Sequence, residues 1–248
     1  MNKNTTLKVI KSYIAVQYNI SEKELDSSGI IYVNNDKTDN SIKIISWFDK
    51  LVIFVSNNLK EFIKLQLKDK NREEIFEFPY IYGQSIYFIP DFEKVEKLKE
   101  PDEFIFKFFF EDSIVNFEKI ENFENSITFN KNGKCISKIA YCMYKNNKLI
   151  GIGGADEIYD KIWEIGIDII PEYRNKGLSK IIMKNLTFEI LNKNIIPIWC
   201  AASTNIASQA AAYKSGYIPL WVTSFGTIGD KFYKYNNLIR IQNNISNK

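Results

Sequence analysis

The sequence predicts an α/β fold: a central mixed β-sheet with helices on both faces, preceded by a further α/β region. Three observations carry the expectation. In the second half of the chain, runs of β-branched and aromatic residues alternate with runs of helical apolar spacing. Their order is strand, helix, strand, helix, strand, which requires at least one parallel pair. The 248 residues, 45% hydrophobic and 25% charged, are enough for one large domain or two modest ones with a sizeable core. No apolar run reaches the roughly 18 residues that would span a bilayer.

Leu7, Ile10 and Ile14 share one face of a first helix over Thr5–Tyr18. Strands are expected at Gly29–Val33, Ser41–Phe48 and Leu51–Ser56, with Asp49-Lys50 as the turn between the last two. Asn57–Leu67 follows as a helix with Leu59, Phe62, Ile63 and Leu67 on its apolar side. Between Pro90 and Pro101 lies a charged stretch, which marks a boundary between an accessory region (1–100) and a second domain (101–248). A solvated helix within one domain is the alternative there. The second domain is expected to contain a strand at Glu103–Phe110, a helix at Ser113–Phe123 and a short strand at Ser126–Phe129. A hairpin of Ser137–Tyr144 and Lys148–Gly153 then turns through Lys145-Asn146-Asn147. Ile162–Ile170 is a strand, and Gly177 opens a helix with Leu178, Ile181, Ile182, Leu186 and Ile190 at helical spacing. A strand at Ile195–Ala201, a helix from Thr204 or Asn205 to Gly216 and a strand at Ile218–Phe225 complete the set.

Composition narrows the chemistry. The chain has no histidine, which removes the Ser-His-Asp triad, the Cys-His dyad and histidine-ligated metals. A general base must then be a carboxylate, lysine, tyrosine, cysteine or relayed water. Cys135, Cys142 and Cys200 form no close pair, and an odd count fits a reducing compartment. Residues 1–6 lead into an amphipathic segment and not the apolar stretch of a signal peptide, so a cytoplasmic protein with no membrane partner is expected. Residues 1–127 carry 17 basic and 22 acidic side chains, a balance of −5, whereas 128–248 carry 16 and 8, a balance of +8. The basic half points to an anionic ligand. Nucleic acid is one such ligand, but the lysines are scattered and no RNA-binding signature occurs, so no nucleic-acid partner is expected.

The informative stretch is Ile162–Ile170 running through Pro171-Glu172-Tyr173-Arg174-Asn175-Lys176-Gly177-Leu178-Ser179 into a helix. A strand feeding a glycine turn and a helix aims free backbone N–H groups and the positive end of the helix dipole at one spot. With Arg174 and Lys176 beside it, that spot suits a pyrophosphate. The stretch is neither a Walker motif nor a G-x-G-x-x-G fingerprint.

Arg174-Asn175-Lys176-Gly177-Leu178-Ser179 resembles the [QR]-x-x-G-x-[GA] acetyl-CoA loop of the GNAT N-acetyltransferases, with serine in place of the final glycine or alanine. Pro171-Glu172-Tyr173 precedes it, as is common in that superfamily. Asn205-Ile206-Ala207-Ser208, Ala212 and Gly216-Tyr217 resemble its second signature. The chain is most similar to a bacterial branch with an extra N-terminal region, and the resemblance covers roughly residues 103–225. It implies a GNAT-like sheet, an acetyl-CoA cosubstrate, no metal and an amine acceptor, either small or peptidic. It also implies that backbone groups around Ile169 and Ile170 pair with the pantetheine arm. N–H groups of Asn175, Lys176, Gly177, Leu178, Ser179 and Lys180 would hold the pyrophosphate, with Asn205 and Ser208 beside the thiol end. The position of the family's general-acid tyrosine is Ala212, and Tyr213 beside it is the substitute, unless it only packs. Glu164 matches the position of the carboxylate base. Asp168, on the same strand face, is its rival, and Asp156 and Glu157 follow. Without turnover, the same residues would describe an acyl-CoA-binding module.

Overall fold

The computed structural model describes residues 1–35, 40–117 and 120–228. Its first elements are α1 (Lys3–Gln17), α2 (Glu22–Leu25), β1 (Gly29–Asn35), β2 (Ser41–Trp47), β3 (Lys50–Ser56), α3 (Lys60–Gln66), α4 (Arg72–Phe76) and β4 (Ile81–Pro90). There follow β5 (Ile105–Phe110), β6 (Ser137–Lys145), β7 (Lys148–Tyr159), β8 (Ile162–Ile169), α5 (Leu178–Asn192), β9 (Ile196–Ala202), α6 (Ile206–Lys214) and β10 (Tyr217–Thr227). The turn between β6 and β7 places Asn146 and Asn147 at φ of 50° and 61°, the left-handed pair that closes a two-residue hairpin and that asparagine tolerates. α2 and α4 each start in a capping box, Ser21 with Glu24 and Asn71 with Glu74.

Two compact units divide the chain: Met1–Tyr13 with Ile86–Leu220, and Ile14–Ser85 with Trp221–Lys248. The division does not fall at residue 100. Ile86–Pro90 of β4 belongs to the first unit, next to β9. Residues 91–100 form neither linker nor helix but an irregular strap on α5. The Leu98 N–H donates to Asn185 Oδ1 (2.7 Å), and Asn185 Nδ2 returns to the Leu98 carbonyl (3.1 Å). The nearly buried Lys184 ammonium donates to the Lys94 carbonyl (3.1 Å) and to Glu96 (2.6 Å). Residues 229–248, the end of the expected second domain, lie outside the described residues.

The first unit holds the mixed sheet flanked by helices that the sequence predicts. From β9 the strand order runs β9-β8-β7-β6-β5. β8 and β9 are parallel, and β7/β8, β6/β7 and β5/β6 are antiparallel. α5 lies on one face, drawn close by small residues: a Cβ on Gly153 would fall 2.6 Å from the Ile182 side chain. On the other face runs a turn through Asn125 and Ser126. There a Cβ on Gly154 would fall 1.7 Å from the Ser126 carbonyl, and one on Gly166 would fall 1.7 Å from that of Asn125. Ile139, Tyr141, Ile152, Ile165, Ile182, Leu186 and Trp199 belong to the core between these layers.

Two elements differ from expectation. Ser113–Phe123 is not an α-helix: Glu111–Phe117 is a 3-10 helix, and residues 118 and 119 lie outside the described residues. Ser126–Phe129 forms no strand, only an isolated bridge of Phe129 with Cys135. The amides of Asn125 and Ser126 donate to the Asp168 carboxylate, which holds the segment as a turn.

In the second unit β1 and β3 are parallel, β2 and β3 antiparallel, and Trp221–Thr227 of β10 runs antiparallel to Ser41–Trp47 of β2. Ile42, Ile44, Ile53 and Val55 meet Phe62 and Ile63 of α3 in its core.

Because the carbonyl that Gly166 faces belongs to a turn held by hydrogen bonds, an added methyl cannot be absorbed by a side-chain rotation. Gly166→Ala should lower stability by about 1–3 kcal/mol, the usual cost of overpacking. Urea denaturation measures it, and an unchanged midpoint would show that the turn is free to move away.

Candidate functional site

The site begins where two strands part. β8 and β9 pair only from Ile162–Ile196 to Ile165–Trp199. Beyond that point β8 continues to Ile169 beside β7 alone. In an antiparallel ladder successive residues address opposite neighbours. The Ile170 N–H donates to the Ile150 carbonyl of β7 (3.0 Å), so the backbone groups of Ile167 and Ile169 address the side that β9 has left. Ile170 itself is not available to a ligand, because its carbonyl also accepts from the Tyr173 N–H (3.0 Å). That corrects the expectation of a pairing edge at Ile169 and Ile170: the edge is Ile167 and Ile169. The Ile169 carbonyl is further engaged by Arg174 Nε at 2.7 Å, so Arg174 tethers the loop to the strand end.

Beyond the strand a 3-10 turn over Pro171–Tyr173 leads to Asn175 (φ 61°) and Gly177 (φ 76°), which is the N-cap of α5. The left-handed glycine swings the chain into the helix and leaves the amides of its first turn facing outward. Of these, the Lys180 N–H bonds back to the Gly177 carbonyl at 3.2 Å. A Cβ at Gly177 would meet nothing within 4 Å, so the space in front of the loop is open. Lys176 lies over the Tyr173 ring, 4.9 Å from its centroid. An open cleft of ≈ 790 Å³ runs here, bounded by Ile169, Arg174, Asn175, Gly177, Ser179 and Lys180 on one side and Ala207, Ala211 and Lys214 on the other.

The far wall is α6. Asn205 caps it, its Oδ1 accepting the Ser208 N–H at 3.0 Å, and Ser208 Oγ accepts from Trp199 Nε1 at 3.0 Å. Both side chains therefore shape the wall, and both line the adjoining cleft of ≈ 500 Å³ with Ala207 and Ala211. Tyr213 does not join them. It is 54% exposed, stands edge-on to Phe88 and lines neither cleft. Ala212 is fully buried in the core. The helical turn that buries Ala212 carries its neighbour about 100° round, away from the cleft, so the substitute role expected for Tyr213 has no geometric support.

The carboxylates separate cleanly. The buried Asp168 accepts from Asn125 N (2.8 Å), Asn125 Nδ2 (2.8 Å) and Ser126 N (2.9 Å), and it shares the single Ser126 Oγ proton (3.1 Å) with the Phe123 carbonyl (3.0 Å). These donors tie it to the turn as a structural acceptor. Glu157 is in an ion pair with Lys138 at 3.1 Å. Glu164 is half-buried and lines the ≈ 500 Å³ cleft and a further pocket of ≈ 260 Å³ with Asn125 and Gly166. Burial raises its pKa, and the nearby Asp156 raises it further. The sequence reading missed Asn125 and the close turn beneath it. The signal was present in Gly154 and Gly166, two strand glycines directly opposite each other, a pattern that marks close approach of another backbone.

Among the described residues no group of three or more His, Cys, Asp or Glu side chains could hold a metal ion, and no helix is long and apolar enough to cross a membrane.

The family model for GNAT acetyltransferase matches residues 49–220. Among solved structures, the chain is similar to a GNAT-family protein from Novosphingobium aromaticivorans, at 13% identity over 61% of this chain and 69% of that one, with a TM-score of 0.44. It is also similar to a GNAT-family acetyltransferase from Colwellia psychrerythraea, at 14% identity over 75% and 65%, with a TM-score of 0.47. No curated protein matches.

The hydrogen bonds at Asp168 make it a test of structure, not of proton transfer. Asp168→Asn places an amide N–H₂ among donors and should lower unfolding stability by about 1–3 kcal/mol. Urea titration reads the loss, and a variant as stable as the parent would remove the structural role.

Proposed function

The chain belongs to the GNAT acetyltransferase family, and from that premise we propose that it transfers an acetyl group directly from acetyl-CoA to a primary amine, with Glu164 as general base. The parting of β8 from β9 carries this reading. It leaves the backbone of Ile167 and the Ile169 N–H open to an extended amide-bearing chain, and that edge leads from the first turn of α5 to Glu164.

The pyrophosphate of acetyl-CoA fits the loop of Asn175, Lys176, Gly177, Leu178, Ser179 and Lys180, where outward amides, the helix dipole and two lysines favour an anion. Asn205 and Ser208 form the wall beside the thiol end through α6. Bound there, acetyl-CoA supplies the acyl group as an activated thioester. The amine's requirement is different: an alkylammonium with a pKa near about 10.4 must lose a proton before nitrogen can attack. Glu164 faces the cleft and its raised pKa makes it a stronger proton acceptor than an ordinary carboxylate. The ≈ 260 Å³ pocket beyond Glu164 has no basic side chain among its walls, which favours an amine without a neighbouring carboxylate. Three cysteines that form no disulfide with one another accord with a cytoplasmic setting.

A second reading, acyl-CoA binding without turnover, is favoured by one observation: with Ala212 buried and Tyr213 outside the cleft, no tyrosine of α6 faces the thiol end. Release of free thiol from acetyl-CoA in the presence of a panel of amines separates the two.

Variants at two positions test the proposal. Gly177→Asp should abolish acetyl-CoA binding by calorimetry, since the new side chain enters open space and brings a negative charge to the pyrophosphate site. Gly177→Asn, which carries the same left-handed backbone cost of about 1–2 kcal/mol without the charge, should bind more tightly than Gly177→Asp. Unchanged affinity in Gly177→Asp would defeat the cofactor assignment. Glu164→Gln should keep acetyl-CoA affinity and lose about 10²–10⁴-fold in turnover, the usual contribution of a general base. Raising the pH should restore part of that loss, because more of the amine is then already neutral. Turnover at the parent rate near neutral pH would remove Glu164 from the mechanism.

A further inference from the structure

Glu164 is not alone on its face of the sheet. The β7–β8 register sets Asp156 directly opposite it, and residues so paired hold their Cβ atoms about 5 Å apart on one face. Both carboxylates line the ≈ 260 Å³ pocket, whose other walls include Asn125, Ser126, Thr128 and Gly166. Like charges directly opposite one another are ordinarily avoided in a sheet. We propose, resting on the reading of Glu164 as the base, that Asp156 is a positioning residue for that base: its fixed negative charge keeps the proton affinity of Glu164 high enough to accept from an alkylammonium.

Asp156 is held for this role. Ser137 Oγ donates to Asp156 Oδ1 at 2.5 Å while accepting the Thr128 N–H at 2.9 Å. The carboxylate is thus tied to β6 and to the chain beyond the Asn125–Ser126 turn, and it cannot swing clear of Glu164 without breaking the bond from Ser137. The other titratable or charged groups around Glu164 are few. Along β8 there is Asp168, whose carboxylate accepts hydrogen bonds from Asn125 and Ser126. β9 places Ile198 opposite Glu164 and brings Cys200 to the shared cleft. The loop after β8 brings Arg174, bound through Nε to the Ile169 carbonyl. The turn on this same face contributes Asn125, Ser126 and Thr128, none of them charged. Asp156 is the charge in direct register with Glu164, and it raises the proton affinity that burial has already raised.

The sign follows. A base works when ionised, so the parent's kcat/KM should fall on the acid side as pH drops through the raised Glu164 pKa. Removing the Asp156 charge lowers that pKa, so activity should persist to lower pH. The weaker base should also run more slowly on the alkaline plateau, but the loss should be smaller than the roughly 10²-fold that removing the base causes.

Two measurements on the full chain decide this. The first is a ¹³C NMR titration of glutamate side-chain carboxyls in the parent and in Asp156→Asn, with the Glu164 signal identified by its absence in Glu164→Gln. The expected result is a Glu164 titration that moves down in Asp156→Asn. Asp156→Ala, which removes the charge and the acceptor together, is the second variant should the first fold poorly. A Glu164 titration at the same pH in both variants overturns the proposal. The second is the pH profile of thiol release with acetyl-CoA and a primary amine, in which the acid limb of Asp156→Asn should move the same way. An acid limb that stays in place while the plateau falls shows a merely structural Asp156 and also overturns it. If Glu164→Gln turns over like the parent while the NMR titration moves as expected, the base assignment has failed and the coupling between the two carboxylates has not.

Discussion

Beyond Ile165 the backbone of β8 has no strand partner among the described residues on its β9 side, and the arrangement of the site follows from that gap. A strand edge left open inside a sheet would ordinarily be filled by another strand or exposed to wasteful pairing with other chains. Here β7 secures the other edge of β8, Arg174 ties off the Ile169 carbonyl, and the chain turns at once into α5. The result is a short, rigid, unpaired edge with a helix N-terminus at one end and a half-buried carboxylate at the other. In the proposed reaction, edge, helix start and carboxylate would meet one need each of a bound acyl thioester: a surface for an amide-bearing arm, a cradle for its anionic end, and a proton acceptor for its reaction partner.

The gap stays open because the sheet is supported from both faces. α5 packs against β7 through Gly151 and Gly153, and the Asn125–Ser126 turn presses on Gly154 and Gly166 from the opposite side. Asp168 belongs to the second support. Its carboxylate replaces the ladder bonds that the turn would otherwise make, and it does so from the same strand face that carries Glu164. Two acidic residues four positions apart thus serve opposite ends: one is bonded to the amides of a turn and holds it, while the other looks into the cleft.

Much of this was legible in the sequence. The loop from Arg174 to Ser179 and the helix that follows could be read because backbone geometry there depends on local order, a strand, a left-handed glycine and an apolar helical stripe. The hairpin at Asn146-Asn147 could be read for the same reason. What escaped depended on distant partners. Ser126–Phe129 has strand-like residues, yet its neighbours' amides go to Asp168, more than forty positions away. Strand alternation puts Asp168 and Glu164 on one face and cannot distinguish them; only the turn across the sheet does. Tyr213 looked like a substitute for a residue missing at Ala212, but one step along a helix is a change of face, and the core had claimed Ala212. The short helices α2 and α4 start in capping boxes, and β4 is a ten-residue strand, yet none of the three is among the expected elements. The interleaving of the two compact units carried no comparable mark, because it arises from pairings across most of the chain's length.

That interleaving has a consequence for how the chain acquires its structure. Trp221–Thr227 of β10 pairs with Ser41–Trp47 of β2, so one edge of an early-made strand waits for nearly the last described residues. During synthesis from the N-terminus, β2 and β3 can form their hairpin long before β10 exists. Until it arrives, the unpaired side of Ile42, Ile44 and Ile45 is an open template for misassociation. Contacts of such long sequence separation form slowly, since the loop must be closed before they reward it. The intervening residues 86–220 can meanwhile build most of their own sheet and core, which makes that closing loop a folded object whose ends are tethered and not a long random coil.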